Sequence, residues 1–176
     1  TEHFGKAAFI TKARVQLMRD IGATPSPLSA FLLNLGLETL HIRMKAHCES
    51  AQKVAEYLNK SDKVKYVNYP TLEGNKYYTL AKKYLPNGCS GVISFAISGG
   101  KQSAIKFMDS LKLASNVVHV ADIRTCVLHP ASSTHRQLTD EQLIAAGIDG
   151  GMIRLSVGLE NIEDIIEDLQ QAFDRI

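Results

Sequence analysis

The sequence has little of what marks secreted, membrane or metal-binding proteins. It contains no tryptophan and only three cysteines, Cys48, Cys89 and Cys126, which are widely spaced and form no C-x-x-C pair. This pattern predicts neither a zinc site nor a disulfide framework, and it is typical of a protein of the reducing cytoplasm. The longest apolar run, "AFLLNLGL", is far shorter than the roughly 20 residues that span a bilayer, and the N-terminal stretch shows no secretory pattern. We therefore expect a cytoplasmic protein with no membrane partner.

The charge pattern shows no excess of one sign that would indicate nucleic-acid binding. Twenty basic and eighteen acidic residues give a net charge of +2, and the basic residues are scattered along the chain. An electrostatic footprint for a nucleic acid needs clustered lysine and arginine, so nucleic acid is not an expected partner. Hydrophobic residues make up 45% of the 176 residues and charged residues 22%, which predicts one folded core with room for an arm.

A long helix is predicted over residues 26–59. Ser26 suits an N-cap, Pro27 suits the first helical position, and Gly36 is a plausible bend. A helix of about 30 residues would reach about 45 Å, which is wider than a small domain. Such a helix is expected to bridge to a second body. We therefore divide the chain into an N-terminal arm with the long interdomain helix, residues 1–60, and a C-terminal α+β domain, residues 61–176.

The second part alternates between strand and helix patterns. Strands are predicted in "KVKYVNYP", "GVISFAI", "NVVHVAD", "TCVLHP" and "GMIRLSV", with helices in "NKYYTLAKKYL", "GGKQSAIKFMDSLKL" and the last stretch, "NIEDIIEDLQQAF". The last helix should bury Ile162, Ile165, Ile166, Leu169 and Phe173. The predicted fold class is α+β (α/β overall), with about four strands and helices on one face.

The residues alone single out one unusual side chain. Arg154 lies in the apolar strand "MIRLSV", on the face opposite Ile153 and Leu155, where it is either ordinary solvated decoration or a functional group. His41 and His47 lie six apart on a helix and point to different sides, so no metal site is expected. His129 and His135 bracket the polar loop "HPASSTH", which is either a simple loop or a functional one.

Four ordered blocks resemble the Cys/Met-metabolism family of pyridoxal-phosphate enzymes. They are "SPLSAFLLNLGLETLHIRMKAHCESAQKVAEYL", "SGVISFAISGG", "HPASSTHRQLTDEQLIAAGI" and "MIRLSVGLENIEDIIEDLQQAF". Within the family, "AFITKARVQLMRDIGATPSP" and "LGLETL" look most like the sulfhydrylase branch. The resemblance implies the C-terminal small domain of a fold-type I (aspartate aminotransferase-like) enzyme, preceded by an interdomain helix. It also implies a homo-oligomer, a tetramer in the complete enzyme, that acts on a small amino acid.

The resemblance places the cofactor machinery outside this sequence. In the family, pyridoxal 5'-phosphate forms a Schiff base with a lysine upstream of the matched region, and its phosphate is held upstream as well. Lys12 lies in a block that matches family sequence after that lysine, so we assign it no such role. The chain is therefore expected to be a C-terminal fragment that holds no catalytic or cofactor-binding residue, binds no cofactor alone and is inactive alone.

The resemblance assigns substrate recognition to Arg154 and His119. Family members use the arginine of the "IRLSVGLE" block to bind the substrate α-carboxylate, and Arg154 occupies that position. His119 stands where relatives have a serine or an asparagine that helps to hold the carboxylate, so it either contacts substrate or is merely packed. The expected reaction replaces the acetyl group of O-acetylhomoserine with sulfide or a thiol. The alternatives are a cystathionine synthase or lyase, a methionine lyase, or a non-catalytic amino-acid-binding module.

Overall fold

The structure is a computed structural model that describes residues 2–176. The chain divides into two compact units, Thr1–His41 and Ile42–Ile176, which are described separately. Among the described residues no helix has both the length and the apolarity needed to cross a membrane.

The described secondary structure of the first unit consists of helices, and its large apolar residues are exposed. Its helices are a 3-10 helix Glu2–Ala7, α1 Ala8–Lys12, a π-helix Ala13–Met18, α2 Arg19–Ile21 and α3 Pro27–Glu38. Ser26 caps α3 as predicted, since its side chain accepts a hydrogen bond from the Ser29 backbone N–H. No residue of α3 is buried, and Phe31 and Leu32 are both more than half exposed. This unit therefore has an uncovered apolar surface.

The long helix predicted over residues 26–59 is two helices. The first ends at Glu38, and α4 runs over Leu40–Lys60, with Thr39 between them outside helical geometry (φ −105°, ψ 1°). The interruption lies at Thr39 and not at Gly36, which is inside α3. Threonine is β-branched and a poor helix former, which fits an interruption at residue 39. The division of the chain at residue 60 stays a prediction.

The second unit is built on a five-stranded mixed sheet whose strands are β1 Val64–Asn68, β2 Val92–Ile97, β3 Ser115–Asn116, β4 Cys126–Leu128 and β5 Met152–Ser156. Their order in the sheet is β1-β2-β5-β4-β3. Strands β3 and β4 are parallel, and the other neighbouring pairs are antiparallel. The helices of this part are α5 Tyr78–Tyr84, α6 Gly100–Ser110, a 3-10 helix Pro130–Ser132, α7 Asp140–Ala145 and α8 Ile162–Phe173.

Helices α4, α6 and α8 cover one face of this sheet. Phe95, Ile153 and Leu155 point into the core from the strands and are fully buried, together with Phe107 of α6 and Ile165 of α8. A smaller apolar cluster, Ala131, Leu143 and Ile148 with Leu138 and Met152 packed against it, lies beside the 3-10 helix and α7. The predicted fold class is confirmed, with five strands instead of about four.

One predicted strand is mostly absent. Of the stretch "NVVHVAD", residues 116–122, only Asn116 belongs to a strand, and the residues after it form an irregular loop up to β4. Exposed Val118 and Val120 lack the burial that a strand pattern implies. The valine-rich stretch therefore forms a loop and not a strand, and this loop lies beside the candidate functional site.

Candidate functional site

Arg154 lies at the centre of the sheet, on the face away from the main core. Strand β5 is flanked by β2 and β4, and Arg154 is opposite Ser94 on one side and Leu128 on the other. Because side chains alternate along a strand, the burial of Ile153 and Leu155 in the core places Arg154 on the other face. There it is half-buried. The predicted facing of this strand is confirmed.

The guanidinium of Arg154 forms one hydrogen bond, through Nη2, and the described residues give it no counter-ion. Its Nη2 donates a hydrogen bond of 2.8 Å to the Val118 carbonyl, whereas its Nε is buried without a hydrogen-bond partner. Among the described residues no carboxylate lies within 4 Å of it, in contrast to Arg19 and Arg124, which are paired with Asp20 and Asp122. A half-buried cation with an unsatisfied donor has the charge and the free hydrogen-bonding capacity that an anionic ligand would need.

The loop that supplies the Val118 carbonyl also carries His119. The His119 Nδ1 lies 2.9 Å from Asp122 Oδ2, and the His119 side chain is 53% exposed. Arg124 approaches the same carboxylate, with its Nη2 3.2 Å from Oδ2. The hydrogen bonds from the Arg124 side chain and backbone, followed by the bond from His119, hold the pKa of Asp122 well below its usual range. Asp122 is therefore an ionised hydrogen-bond partner of Arg124 and His119.

Two side chains fix this loop against the strands. The Ala121 N–H donates to Ser156 Oγ at 3.1 Å, and Ala121 has φ of 58°, a left-handed conformation that costs an ordinary residue about 1 to 2 kcal/mol. Glu160 accepts hydrogen bonds from the Thr125 N–H (2.7 Å) and from its hydroxyl (2.9 Å). Gly158 is required beside this contact, because a Cβ there would collide with Thr125 N. The loop is therefore pinned near its middle and at its end.

A third carboxylate fixes the start of the segment. Asp168 of α8 is almost fully buried, and its oxygens accept hydrogen bonds from the backbone N–H groups of Lys112, Leu113 and Ala114 at 2.8 to 3.0 Å. These residues lead directly into β3 and the Val118 carbonyl. The segment that leads to the Val118 carbonyl is thus fixed at its start by hydrogen bonds to a residue of α8.

His129 is a structural residue in this arrangement. It is buried, its Nε2 lies 2.8 Å from the Gly150 carbonyl and its Nδ1 lies 2.9 Å from Ser132 Oγ. The carbonyl can only accept, so Nε2 carries the proton and the neutral ring accepts from the serine at Nδ1. Burial lowers the pKa of His129, against a smaller opposite effect of the Gly150 bond. The bond to Gly150 joins the "HPASS" loop to the turn before β5.

The two residues predicted to bind substrate lie near each other without a direct contact. Arg154 bonds the carbonyl of Val118, the residue that precedes His119, while the His119 ring is bonded to Asp122. Their roles in substrate binding stay predictions. Sequence reasoning missed Asp122, Glu160 and Asp168; the only available signal was the position of Asp122 two residues before Arg124, where its carboxylate accepts from that backbone N–H.

Comparisons with known proteins agree on one family. A model of the family described as "Cys/Met metabolism PLP-dependent enzyme" matches residues 5–174. The chain is 47% identical to a homocysteine synthase of Schizosaccharomyces pombe and 48% identical to an O-acetyl-L-homoserine sulfhydrylase of Leptospira meyeri, in each case over 99% of the chain. These matches cover 41% and 40% of the two relatives. The chain thus spans about two fifths of the length of the curated relatives that it matches.

A solved structure shows the same fold at similar sequence identity. It is a proposed O-acetylhomoserine (thiol)-lyase from Campylobacter jejuni that contains a pyridoxyl-lysine phosphate group, and it superposes with a TM-score of 0.87 at 42% identity. The match covers 95% of this chain and 40% of that protein. The family match over almost the whole chain, the two relatives and this fold together show that the chain belongs to the Cys/Met metabolism family of PLP-dependent enzymes.

Proposed function

We propose that this chain provides the substrate-carboxylate site of a PLP-dependent sulfhydrylase that replaces the acetyl group of O-acetylhomoserine with sulfide or a thiol. The observation that carries the proposal is the state of Arg154, a half-buried guanidinium that a backbone carbonyl orients and that forms no ion pair with any acidic side chain that the structure describes. The relatives named as sulfhydrylases and homocysteine synthases support the choice of reaction.

Arginine suits a carboxylate because its planar fork donates two parallel charge-assisted hydrogen bonds, which fix the orientation of the bound group. The bond from Nη2 to Val118 limits rotation of the guanidinium, so less side-chain freedom is lost when substrate binds. With the α-carboxylate fixed, the α-carbon proton is presented in one direction to the base that removes it. Arg154 is thus an orienting residue for proton abstraction.

The described residues fit the substrate better than the cofactor. Pyridoxal phosphate, when bound, supplies the electron sink that makes the α-proton and the leaving group labile. Lys12 lies exposed in α1, and we assign neither it nor any other residue of this chain to the cofactor. We propose that the cofactor is held by residues of the complete enzyme outside this sequence, and that the chain alone is inactive.

His119 is a second candidate for the carboxylate site. Its ring lies on the loop whose carbonyl bonds Arg154, and more than half of the side chain is exposed, so a ligand can reach it. Because Nδ1 is bonded to Asp122, His119 would donate to a substrate either from a protonated Nε2 or by exchange of the Asp122 bond. We propose this role only as an addition to that of Arg154. The complete enzyme is further proposed to be a cytoplasmic homo-oligomer, a tetramer as in the family.

A chimera tests the reaction. The chain would replace the matching 40% of the Leptospira meyeri sulfhydrylase, and the purified chimera would be assayed with O-acetylhomoserine and sulfide, with cystathionine, and with methionine. We expect homocysteine from the first mixture and little turnover of the other two. Preferential elimination from cystathionine or methionine would instead support the lyase alternative. A chimera that binds cofactor and turns over nothing would favour a non-catalytic binding module.

A further inference from the structure

Three potential metal ligands meet on the loop before β4. One ring nitrogen of His119, one carboxylate oxygen of Asp122 and the Sγ of Cys126 all lie within 4.8 Å of one another. No sequence pattern connects them, because Cys126 begins strand β4 and the other two lie on the irregular segment before it. Their spacing, H-x2-D-x3-C, means that a single short segment supplies all three ligands.

The segment is held in place by contacts with other elements. The Ala121 N–H is bonded to Ser156, Thr125 is bonded twice to Glu160, and the Ile123 carbonyl accepts from the Leu159 N–H at 2.8 Å. Cys126 itself is paired with Ser115 and Ser156 in the sheet. The contacts fix the backbone on both sides, and the three ligand atoms already lie within 4.8 Å of one another. Rotations of the side chains can therefore bring them together around one ion.

We propose that His119, Asp122 and Cys126 form a binding site for a thiophilic divalent cation, with Zn²⁺ as the best match. Zinc prefers four-coordinate sites of nitrogen, oxygen and sulfur ligands at about 2.0 to 2.3 Å, and three protein ligands leave one position for water. This proposal departs from the sequence-based expectation that the chain binds no metal. It does not depend on the proposed sulfhydrylase reaction, because the three ligands belong to this chain alone.

A neighbouring cation limits the affinity of the site. Arg124 is bonded to the Asp122 carboxylate that the metal needs, with its Nη2 3.2 Å from Oδ2. The metal must displace or share the Arg124 contact, and it must remove the proton of a buried thiol. Removal of the Arg124 charge should therefore tighten metal binding, which a nonspecific surface site far from Arg124 would not show.

Occupancy would also affect the carboxylate site. A metal on His119 would withdraw that ring from any contact with substrate, while the nearby Val118 carbonyl would still orient Arg154. If both proposals hold, zinc inhibits the complete enzyme at low substrate concentration. If the sulfhydrylase proposal fails, metal binding to the isolated chain is still expected.

The test is a cobalt titration of the reduced, metal-free 176-residue chain without oxygen. We expect one Co²⁺ per chain, the visible bands of four-coordinate cobalt, a near-ultraviolet thiolate-to-cobalt band, and displacement by Zn²⁺. Cys126→Ser should abolish the thiolate band, and His119→Asn should weaken binding by more than about tenfold. Arg124→Gln should strengthen binding several-fold, since it removes a like charge next to the ion.

The chain offers a matched control in its other two cysteines. A Cys48→Ser/Cys89→Ser variant should keep the thiolate band unchanged, because both residues lie away from the loop, in a cavity of about 500 Å³ shared by α4 and the segment before β2. His119 is exposed, so His119→Asn should fold normally even if Cys126→Ser does not. The proposal is overturned if no thiolate band forms, if the band persists in Cys126→Ser, or if it is lost in the double cysteine variant.

Discussion

Replacement of Arg154 by alanine tests the carboxylate site most directly. In the sulfhydrylase chimera, Arg154→Ala removes a half-buried guanidinium whose Nε has no hydrogen-bond partner among the described residues. Loss of one partner from a buried charge-assisted pair costs about 2 to 5 kcal/mol. At about 1.4 kcal/mol per factor of ten, the expected decrease in kcat/KM is roughly 30-fold to several thousandfold. Arg154 is only half-buried, which favours the lower part of this range.

Arg154→Lys separates charge from geometry. Lysine keeps the positive charge and can reach a carboxylate, but its ammonium cannot form the two parallel bonds of a guanidinium. It would also bind only one of the two acceptors, the Val118 carbonyl or the substrate, in a fixed direction. We therefore expect Arg154→Lys to recover only part of the lost kcat/KM.

The assay is steady-state kinetics with O-acetylhomoserine and sulfide, with cofactor absorbance recorded for each variant. Arg175→Ala is the matched control, since Arg175 is exposed near the C-terminus and should leave kcat/KM unchanged. Unchanged cofactor absorbance in Arg154→Ala would show that the site remains assembled. Near-normal kcat/KM in that variant would refute the argument and leave Arg154 as a solvated strand residue.

Four further outcomes are expected of the isolated chain. After incubation with pyridoxal phosphate and removal of excess, absorbance should show no bound cofactor, and a stoichiometric borohydride-trapped adduct at one lysine would contradict this. Light scattering should show a dimer or larger species, because the uncovered apolar surface of the first unit favours association. The double variant Phe31→Ser/Leu32→Ser should reduce this association. A monomeric unmodified chain would contradict the prediction. Asp168→Asn should lower the free energy of unfolding in urea by about 2 to 4 kcal/mol, because a buried acceptor of three N–H bonds is lost. Glu167→Gln, at the exposed neighbouring position, should leave the free energy of unfolding unchanged. Because the pKa of His129 is lowered in the folded chain, the unfolded chain takes up a proton first as the pH falls below about 6.5. The free energy of unfolding should therefore decrease below that pH. Urea titrations at several pH values should show this decrease, and His129→Asn should make it smaller.

Much of the fold could be predicted because it rests on local periodicity. The strand "VISFAI" and the last helix follow simple alternation and helical spacing, and both are found. Errors occurred where a polar residue takes a core position or where an apolar pattern is not buried. Asp168 lies in the buried stripe of α8, which no hydrophobic pattern predicts, and the valines of residues 117–120 belong to a loop that is held by side-chain bonds from distant strands.

From the residues alone only Arg154 could be singled out for the candidate site, and His119 was added by the family resemblance. Arg154 stands out because it is the one charged residue in an otherwise apolar strand pattern. Its contacts are 36 residues away along the chain, at Val118, and depend on a loop whose conformation is set by Ser156 and Glu160. Contacts of this kind require the folded backbone, so the metal ligands on the same loop could not be connected from the sequence either.

Strand β5 links stability to the proposed chemistry through its register. Ile153 and Leu155 are fully buried on one face, and Arg154 is directed to the other only because side chains alternate. A slip of one residue would put the guanidinium in the apolar core and expose two core side chains, at a cost of several kcal/mol for the charge alone. The same two core residues that stabilise the sheet therefore hold Arg154 where a carboxylate can reach it. Ser156 extends this coupling, since it lies on the same strand and fixes the loop that carries His119.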